Sequence, residues 1–401
     1  MKVLILTNEY PPHIYGGAGV HVDYLSRALA KLCQVDVRCF GDQRELLESL
    51  SVTGFSVHPP RYTAPEPLWG VFSALQRCLD FTTTGDGADL VHAHTWYTCL
   101  GGILNKLSYT IPFVLTTHSL EPLRPWKREQ LGGGYDVSCW VERAAVEAAN
   151  ALVAVSEDTR RDILRIYRPA PEKVHVIHNG IDLDEYRPTA DPDRVRPLGI
   201  DPAKPYVLCV GRLTRQKGLI HFARAIRNLP ADVQAVLYAT APDTKEIEAE
   251  IEAEIAARQQ ERPGVVWIRT VLDLPTKVAL YSHAEVFCCP SVYEPFGITN
   301  LEAMACEVPV VASAVGGIRE VVVDGETGVL VPLETNPESP FEPVDPDRFE
   351  SDIANGIKDA MRSPSRRTKM GKAGRRRAVE HFSWAATAKK TYALYQSILS
   401  R

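Results

Sequence analysis

The sequence predicts an α/β protein of two domains, each a doubly wound, Rossmann-like parallel sheet with helices on both faces. Three observations lead there. Short apolar runs alternate with helical patterns along nearly the whole chain, as expected of parallel strands buried on both faces. The 401 residues exceed what one core usually organises, so two domains of roughly 200 residues are expected. A Pro- and Asp-rich stretch at 182–205 interrupts the alternation, which then begins again.

In the first half, the strand Lys2–Thr7 leads through a glycine loop to a helix over Val20–Lys31, apolar at Val20, Tyr24, Leu25, Ala28 and Leu29. The strand Val35–Phe40 follows, then a polar and helical stretch to about Thr83. Next come the strand Ala88–His94, a helix near Cys99–Tyr109 and the strand Phe113–Thr117. The helix Val137–Ala149, strand Ala151–Ser156, helix Glu157–Ile166 and strand Val174–Ile177 close this half.

In the second half, the strands are Tyr206–Val210, Val233–Ala239, Val265–Arg269, Glu285–Pro290 and Val308–Ser313. Helices are expected at Leu219–Asn228, Thr244–Arg262 and Thr276–His283. Ile247, Ile251 and Ile255 give the second of these one apolar stripe beneath an acidic face. Leu333–Asp347 reads as a surface loop, the basic run Arg362–Arg377 as a solvated helix face ahead of a phosphate- or nucleic-acid-binding patch, and Phe382–Arg401 as an amphipathic helix.

Composition narrows the function. A net charge of −5 gives no global attraction to nucleic acid or anionic membrane, so neither is expected as a partner. Met1-Lys-Val-Leu-Ile-Leu-Thr-Asn is too short for a signal-peptide core, and no apolar run approaches the ~20 residues of a membrane helix. The nine cysteines show no C-x-x-C pair or zinc spacing. Free thiols in a reducing cytoplasm fit them.

The chemistry is expected in loops that follow strands, at the carboxyl edges of the two sheets. In Pro290-Ser-Val-Tyr-Glu-Pro-Phe-Gly-Ile-Thr-Asn-Leu-Glu-Ala-Met-Ala305, the carboxylates Glu294 and Glu302 flank Gly297, Ile298 and Thr299. A helix beginning there would turn its first amides toward an anion. A phosphate between two acidic groups suits a sugar nucleotide, against the plainer reading of solvated glutamates in a βα turn. Gly211-Arg-Leu-Thr-Arg-Gln-Lys-Gly218 places Arg212 and Lys217 after a strand, two cations suited to a departing diphosphate. In the first half, Gly16 and Gly17 let backbone amides approach a ligand, and His118 stands just past a strand. Of His92 and His94, at least one is expected to be a satisfied core group.

Together these motifs resemble the GT-B retaining glycosyltransferases of the glycogen-synthase and sucrose-synthase superfamily (GT4 type). Ala314-Val-Gly-Gly-Ile318 and Asp324-Gly-Glu-Thr-Gly328 belong to the same resemblance. Tyr10–His21, His118–Pro122 and Arg124–Asp136 resemble most the short actinobacterial-type glycogen synthases and maltose-1-phosphate synthases. The resemblance implies an acceptor-side domain over residues 1–185, a nucleotide-sugar domain over 200–383, and a final helix, 384–401, crossing back to the first.

It also implies the roles of single residues. Arg212, Lys217 and the amides of Gly17, Ile298 and Thr299 would take the donor diphosphate, and Gly16 and Gly297 would belong to the same donor-binding site. Glu302 would bind the ribose and Glu294 the glucosyl ring, while His118 would hold a sugar hydroxyl. The leaving phosphate would accept the acceptor's proton, so no metal and no cofactor is expected. The implied activity is transfer of glucose from ADP-glucose, or secondarily UDP-glucose, to an α-1,4-glucan or to glucose 1-phosphate. A homo-oligomer is compatible with this. The alternatives are a sucrose- or mannose-type transferase and a non-catalytic sugar-nucleotide sensor. Two positions depart from the long bacterial glycogen synthases: Ile14 stands where they carry Lys, and Thr95 where they carry Asp.

Overall fold

The computed structural model describes residues 1–56, 64–83, 87–336 and 342–400. Residues 57–63 of the stretch read as helical, 337–341 of the Leu333–Asp347 loop, and Arg401 therefore lie outside the described residues. The chain divides into two compact units, Met1–Gly180 with Trp384–Arg401, and Ile181–Ser383.

The first unit holds an eight-stranded sheet in the order β3-β4-β2-β1-β5-β6-β7-β8. Its strands are β1 (Lys2–Thr7), β2 (Gln34–Phe40), β3 (Arg44–Leu46), β4 (Leu50–Phe55), β5 (Leu90–His94), β6 (Phe113–Thr117), β7 (Ala151–Ala154) and β8 (Val174–Val176). All pair in parallel except β3, which is antiparallel to β4 at the edge. The expectation of a helical stretch from residue 41 onward is corrected here. Leu50-Ser-Val-Thr-Gly-Phe55 alternates buried and half-buried side chains, as a strand does, and pairs with β2. The helix begins only at Glu66 and runs to Thr82.

One face of this sheet packs Val3, Ile5, Val37 and Val114 with the helix Gly17–Leu29 and the C-terminal helix Trp384–Leu399. Leu394 and Tyr395 are buried there, each contributing roughly 1.5–3 kcal/mol. Trp384 stacks on Tyr24 with ring centroids 5.6 Å apart, and Thr387 Oγ1 donates to the His178 carbonyl (3.0 Å). The last helix thus returns to the first unit's core. The opposite face buries Leu4, Leu6, Leu115 and Leu152 against Val141, Ala145 and Ile163.

The second unit holds six parallel strands in the order β11-β10-β9-β12-β13-β14. They are β9 (Tyr206–Arg212), β10 (Gln234–Thr240), β11 (Val265–Ile268), β12 (Val286–Cys289), β13 (Val310–Ser313) and β14 (Gly328–Val331). Ile247, Ile251 and Ile255 enter the core from the helix Lys245–Glu261. The amide of Ile181 donates to the Phe382 carbonyl (2.8 Å), so the two ends of this unit are tied together.

The basic run only partly meets its expectation of a solvated face. Arg375 donates to the carbonyls of Tyr186 and Ala305, and Arg377 to those of Glu320 and Val321. Two of its guanidiniums therefore cap the C-terminal ends of the helices that finish at Ala305 and Val321, which a sequence pattern does not reveal. Asp324–Gly328 is a turn: Asp324 Oδ1 accepts from the Leu330 amide (2.9 Å).

Candidate active site

In each sheet the strand order reverses once, at β1/β5 and at β9/β12, and such switch points open a crevice at the carboxyl ends of the strands. The predicted residues of the second unit gather at the β9/β12 reversal. Arg212 ends β9, and Lys217 closes a 3-10 turn before the helix Leu219–Ala225. The loop after β12 joins them, since the Val292 amide donates to the Gln216 carbonyl (3.0 Å).

Lys217 Nζ donates to Glu294 Oε2 at 2.6 Å, and Ser291 Oγ donates to the same oxygen at 3.2 Å. Burial works against the Lys217 ammonium, but Glu294 outweighs it and holds the amine above its ordinary value. Lys217 therefore stays a cation. Arg212 Nη1 donates to Asp243 Oδ1 (3.3 Å).

The Glu294 loop is clamped by the glycine motif after β13. The Gly317 amide donates to the Glu294 carbonyl (3.0 Å). A Cβ on Gly317 would lie 2.4 Å from the Pro295 carbonyl oxygen, so the motif serves close approach. Gly297, with φ of +99°, turns the chain into the helix Ile298–Ala305, a conformation that favours glycine. The first-turn amides of Ile298 and Thr299 have no carbonyl to meet within that helix. Beside them, Thr299 Oγ1 and both amide atoms of Asn300 are buried without a hydrogen-bond partner among the described residues. Buried polar atoms of this kind ask for a ligand or water.

Glu302, on the helix's second turn, forms a separate cluster. Its Oε1 accepts from Tyr186 OH (2.9 Å) and Lys277 Nζ (2.8 Å), and its Oε2 from Tyr281 OH (2.7 Å). It is 3% exposed. A buried carboxylate with three donors is fixed in rotamer and position. Asp243, Ser291, Asn300, Tyr186, Lys277 and Tyr281 were not singled out from the sequence, and no local spacing marks them.

In the first unit, Gly16 is the N-cap of the helix Gly17–Leu29. Glu9 Oε2 accepts from the amides of Tyr15 (2.8 Å) and Gly16 (2.6 Å), so a carboxylate of the chain already holds the Gly16 amide. Thr95 follows β5 with φ of +66°, a strained conformation for a β-branched residue, at a cost of order 1–3 kcal/mol. Its hydroxyl donates to Asn8 Oδ1 (2.9 Å).

His118 Nε2 lies 3.0 Å from His94 Nδ1, and the His21 ring is 4.7 Å from that of His118. Burial lowers the pKa of all three, His21 to about 4, so the rings are neutral. His92 is the satisfied core histidine: Nδ1 pairs with Tyr395 OH (2.6 Å) and Nε2 with Thr116 Oγ1 (2.7 Å). The segment after His118 is fixed by two buried glutamates. Glu142 Oε2 accepts from the Glu121 amide (2.9 Å) and Tyr167 OH, and Glu121 pairs with Arg124 (3.1 Å).

Two doubly wound sheets of this order are the architecture of the GT-B fold. Sequence comparison agrees. The profile for Glycosyltransferase Family 4 matches residues 15–185, and that for Glycosyl transferases group 1 matches 191–377. The α-maltose-1-phosphate synthase of Mycolicibacterium smegmatis is 47% identical over 99% of this chain and 100% of its own. A glycogen synthase of Mycobacterium tuberculosis is 26% identical over 98% of this chain and 94% of its own. Among solved structures, the sucrose-phosphate synthase of Thermosynechococcus elongatus superposes with a TM-score of 0.81 at 25% identity, covering 100% of both chains. The chain belongs to the GT4-type glycosyltransferases and is an enzyme of that class. Among the described residues, no helix is long and apolar enough to cross a membrane.

Proposed function

We propose that this glycosyltransferase moves glucose, with retention of the anomeric configuration, from ADP-glucose to glucose 1-phosphate, forming maltose 1-phosphate. The acceptor choice is supported by the full-length likeness to the α-maltose-1-phosphate synthase, much higher than that to the glycogen synthase. The observation that carries the donor reading is the grouping of Arg212, Lys217 and the Ile298–Thr299 amides around the β9/β12 reversal.

As the sugar–phosphate bond breaks, negative charge grows on the leaving diphosphate. Two fixed cations and a helix N-terminus stabilise that charge more than the ground state. With this neutralisation, transfer needs no metal or other cofactor. Glu302, held by Lys277 and the two tyrosines, keeps one face toward the ribose hydroxyls. Glu294, oriented by Lys217 and Ser291, hydrogen-bonds the glucosyl ring, and His118 holds a sugar hydroxyl. The leaving phosphate oxygen takes the acceptor's proton on the face that it vacates. All nine cysteines are free thiols, which fits a cytoplasmic enzyme.

The test is a matrix of ADP-glucose and UDP-glucose against glucose 1-phosphate and glycogen, read by product mass. ADP-glucose with glucose 1-phosphate is expected to give the highest turnover, as a disaccharide phosphate. Extension of glycogen alone would move the reading to a glucan synthase, and no product from any pair would return it to a sensor.

A further inference from the structure

The first unit brings together three imidazoles that no feature of a metal-free transfer requires as a group. His21 comes from the helix after β1, His94 from the end of β5 and His118 from just past β6. The three side chains present one ring nitrogen each, all within 4.8 Å of one another. We propose that His21, His94 and His118 form a binding site for a divalent transition-metal ion, zinc foremost, and that its occupation inhibits transfer.

Four observations carry the proposal. First, His94 Nδ1 and His118 Nε2 are 3.0 Å apart. Zn–N bonds of ~2.0–2.1 Å in a tetrahedron put neighbouring ligand atoms about 3.3 Å apart, so this pair needs little movement.

Second, His21 Nδ1 pairs with Asn179 Oδ1 at 2.7 Å. A carbonyl oxygen accepts only from an N–H, which leaves His21 Nε2 with the lone pair. That is the arrangement in which an outer oxygen orients a histidine ligand.

Third, His21 Nε2, the nitrogen left with the lone pair, is buried with no hydrogen-bond partner among the described residues, in a ring only 2% exposed. An orphaned buried nitrogen costs about 1–3 kcal/mol, a cost that coordination would relieve. His92, in contrast, has both nitrogens paired.

Fourth, the donor set is three imidazoles, which suits zinc, copper or nickel rather than magnesium or calcium. Three neutral histidines with a fourth position open to water make a common zinc environment.

No proton need be lost. The N–H shared by His94 and His118 moves to the other nitrogen of its own ring, and the ion takes its place. Inhibition follows because His118 is then a ligand instead of a sugar contact. That part rests on the transferase reading above; binding does not.

The full-length protein, stripped of metal, is titrated with zinc by calorimetry and with cobalt(II) by visible absorption. Activity is followed separately in the same solutions. One zinc per chain, an intense tetrahedral cobalt band, and loss of transfer that EDTA reverses are expected. His21→Gln should weaken zinc binding at least tenfold. Asn179→Leu removes no ligand and should weaken it by roughly 10- to 100-fold, with circular dichroism checking the fold of both. Wild-type protein that takes up no zinc, or binding equally tight in His21→Gln, overturns the site. Stoichiometric binding with full activity overturns the inhibition alone. Zinc binding in a protein with no transferase activity would sink the catalytic reading and leave the site standing.

Discussion

Lys217 Nζ and Glu294 Oε2 stand 2.6 Å apart, joining the loop after β9 to the loop after β12 across the point where the second sheet reverses. The two residues assigned to the diphosphate and to the sugar are thus each other's partners. Lys217→Ala removes a cation from the leaving group and leaves Glu294 without its charged partner. Turnover should fall by roughly 10²–10³-fold. Arg212→Ala should act similarly, since Arg212 ends β9, the strand whose following loop carries Lys217. Steady-state kinetics check both, and near-normal kcat in either would remove that residue from the diphosphate.

Glu294→Gln separates role from fold. The amide oxygen can still accept from Lys217 and Ser291, so thermal unfolding should shift by only a few degrees. The charge is lost, and transfer should drop by about 10²-fold. An unaltered rate would make Glu294 a structural residue.

The Glu302 cluster predicts a different kinetic signature. Lys277→Met and Tyr281→Phe leave Arg212 and Lys217 intact but loosen the carboxylate assigned to the ribose. Hydrogen bonds to charged groups are worth about 1.5–3 kcal/mol, so donor KM should rise about tenfold or more with kcat changed much less. A fall in kcat at constant KM would place Glu302 in the chemical step instead.

Much of this architecture was legible in the sequence, and the rest was not, for identifiable reasons. The parallel strands announced themselves because both faces are buried and the runs are uniformly apolar. Leu50–Phe55, an alternating strand near the edge, was passed over within a polar stretch. Arg212, Lys217, Glu294 and Glu302 sit in loops whose glycines and prolines frame them. Their partners do not: Tyr186 meets Glu302 across 116 positions, and His21 meets Asn179 across 158. Contacts at such separations leave no periodicity behind. The capping by Arg375 was hidden for the same reason, inside a run whose charge alone suggested solvent.

Glu142 supplies a pH dependence. Burial, and then the neighbouring Glu121, push its carboxyl from an ordinary 4.5 up to about 8. The folded chain thus binds this proton more tightly than the unfolded chain, and stability falls as pH rises through that window. The slope is at most about 1.4 kcal/mol per pH unit from this group. Glu142→Gln stays neutral and can still accept from the Glu121 amide and Tyr167. Between pH 6 and 9 its melting temperature should fall less than that of the wild type. Parallel curves would contradict a protonated Glu142.

The proposed reaction is a retaining transfer to a phosphorylated acceptor with the cations of the second unit neutralising the leaving group. Its most direct measurement is proton and phosphorus NMR of the enzyme with ADP-glucose and glucose 1-phosphate, in buffer containing EDTA. A new α-configured glycosidic proton, a retained phosphate monoester diester-free in the phosphorus spectrum, and stoichiometric ADP are predicted. A β-linked product, a reaction that chelation abolishes and added metal restores, or ADP release without a disaccharide phosphate would contradict it.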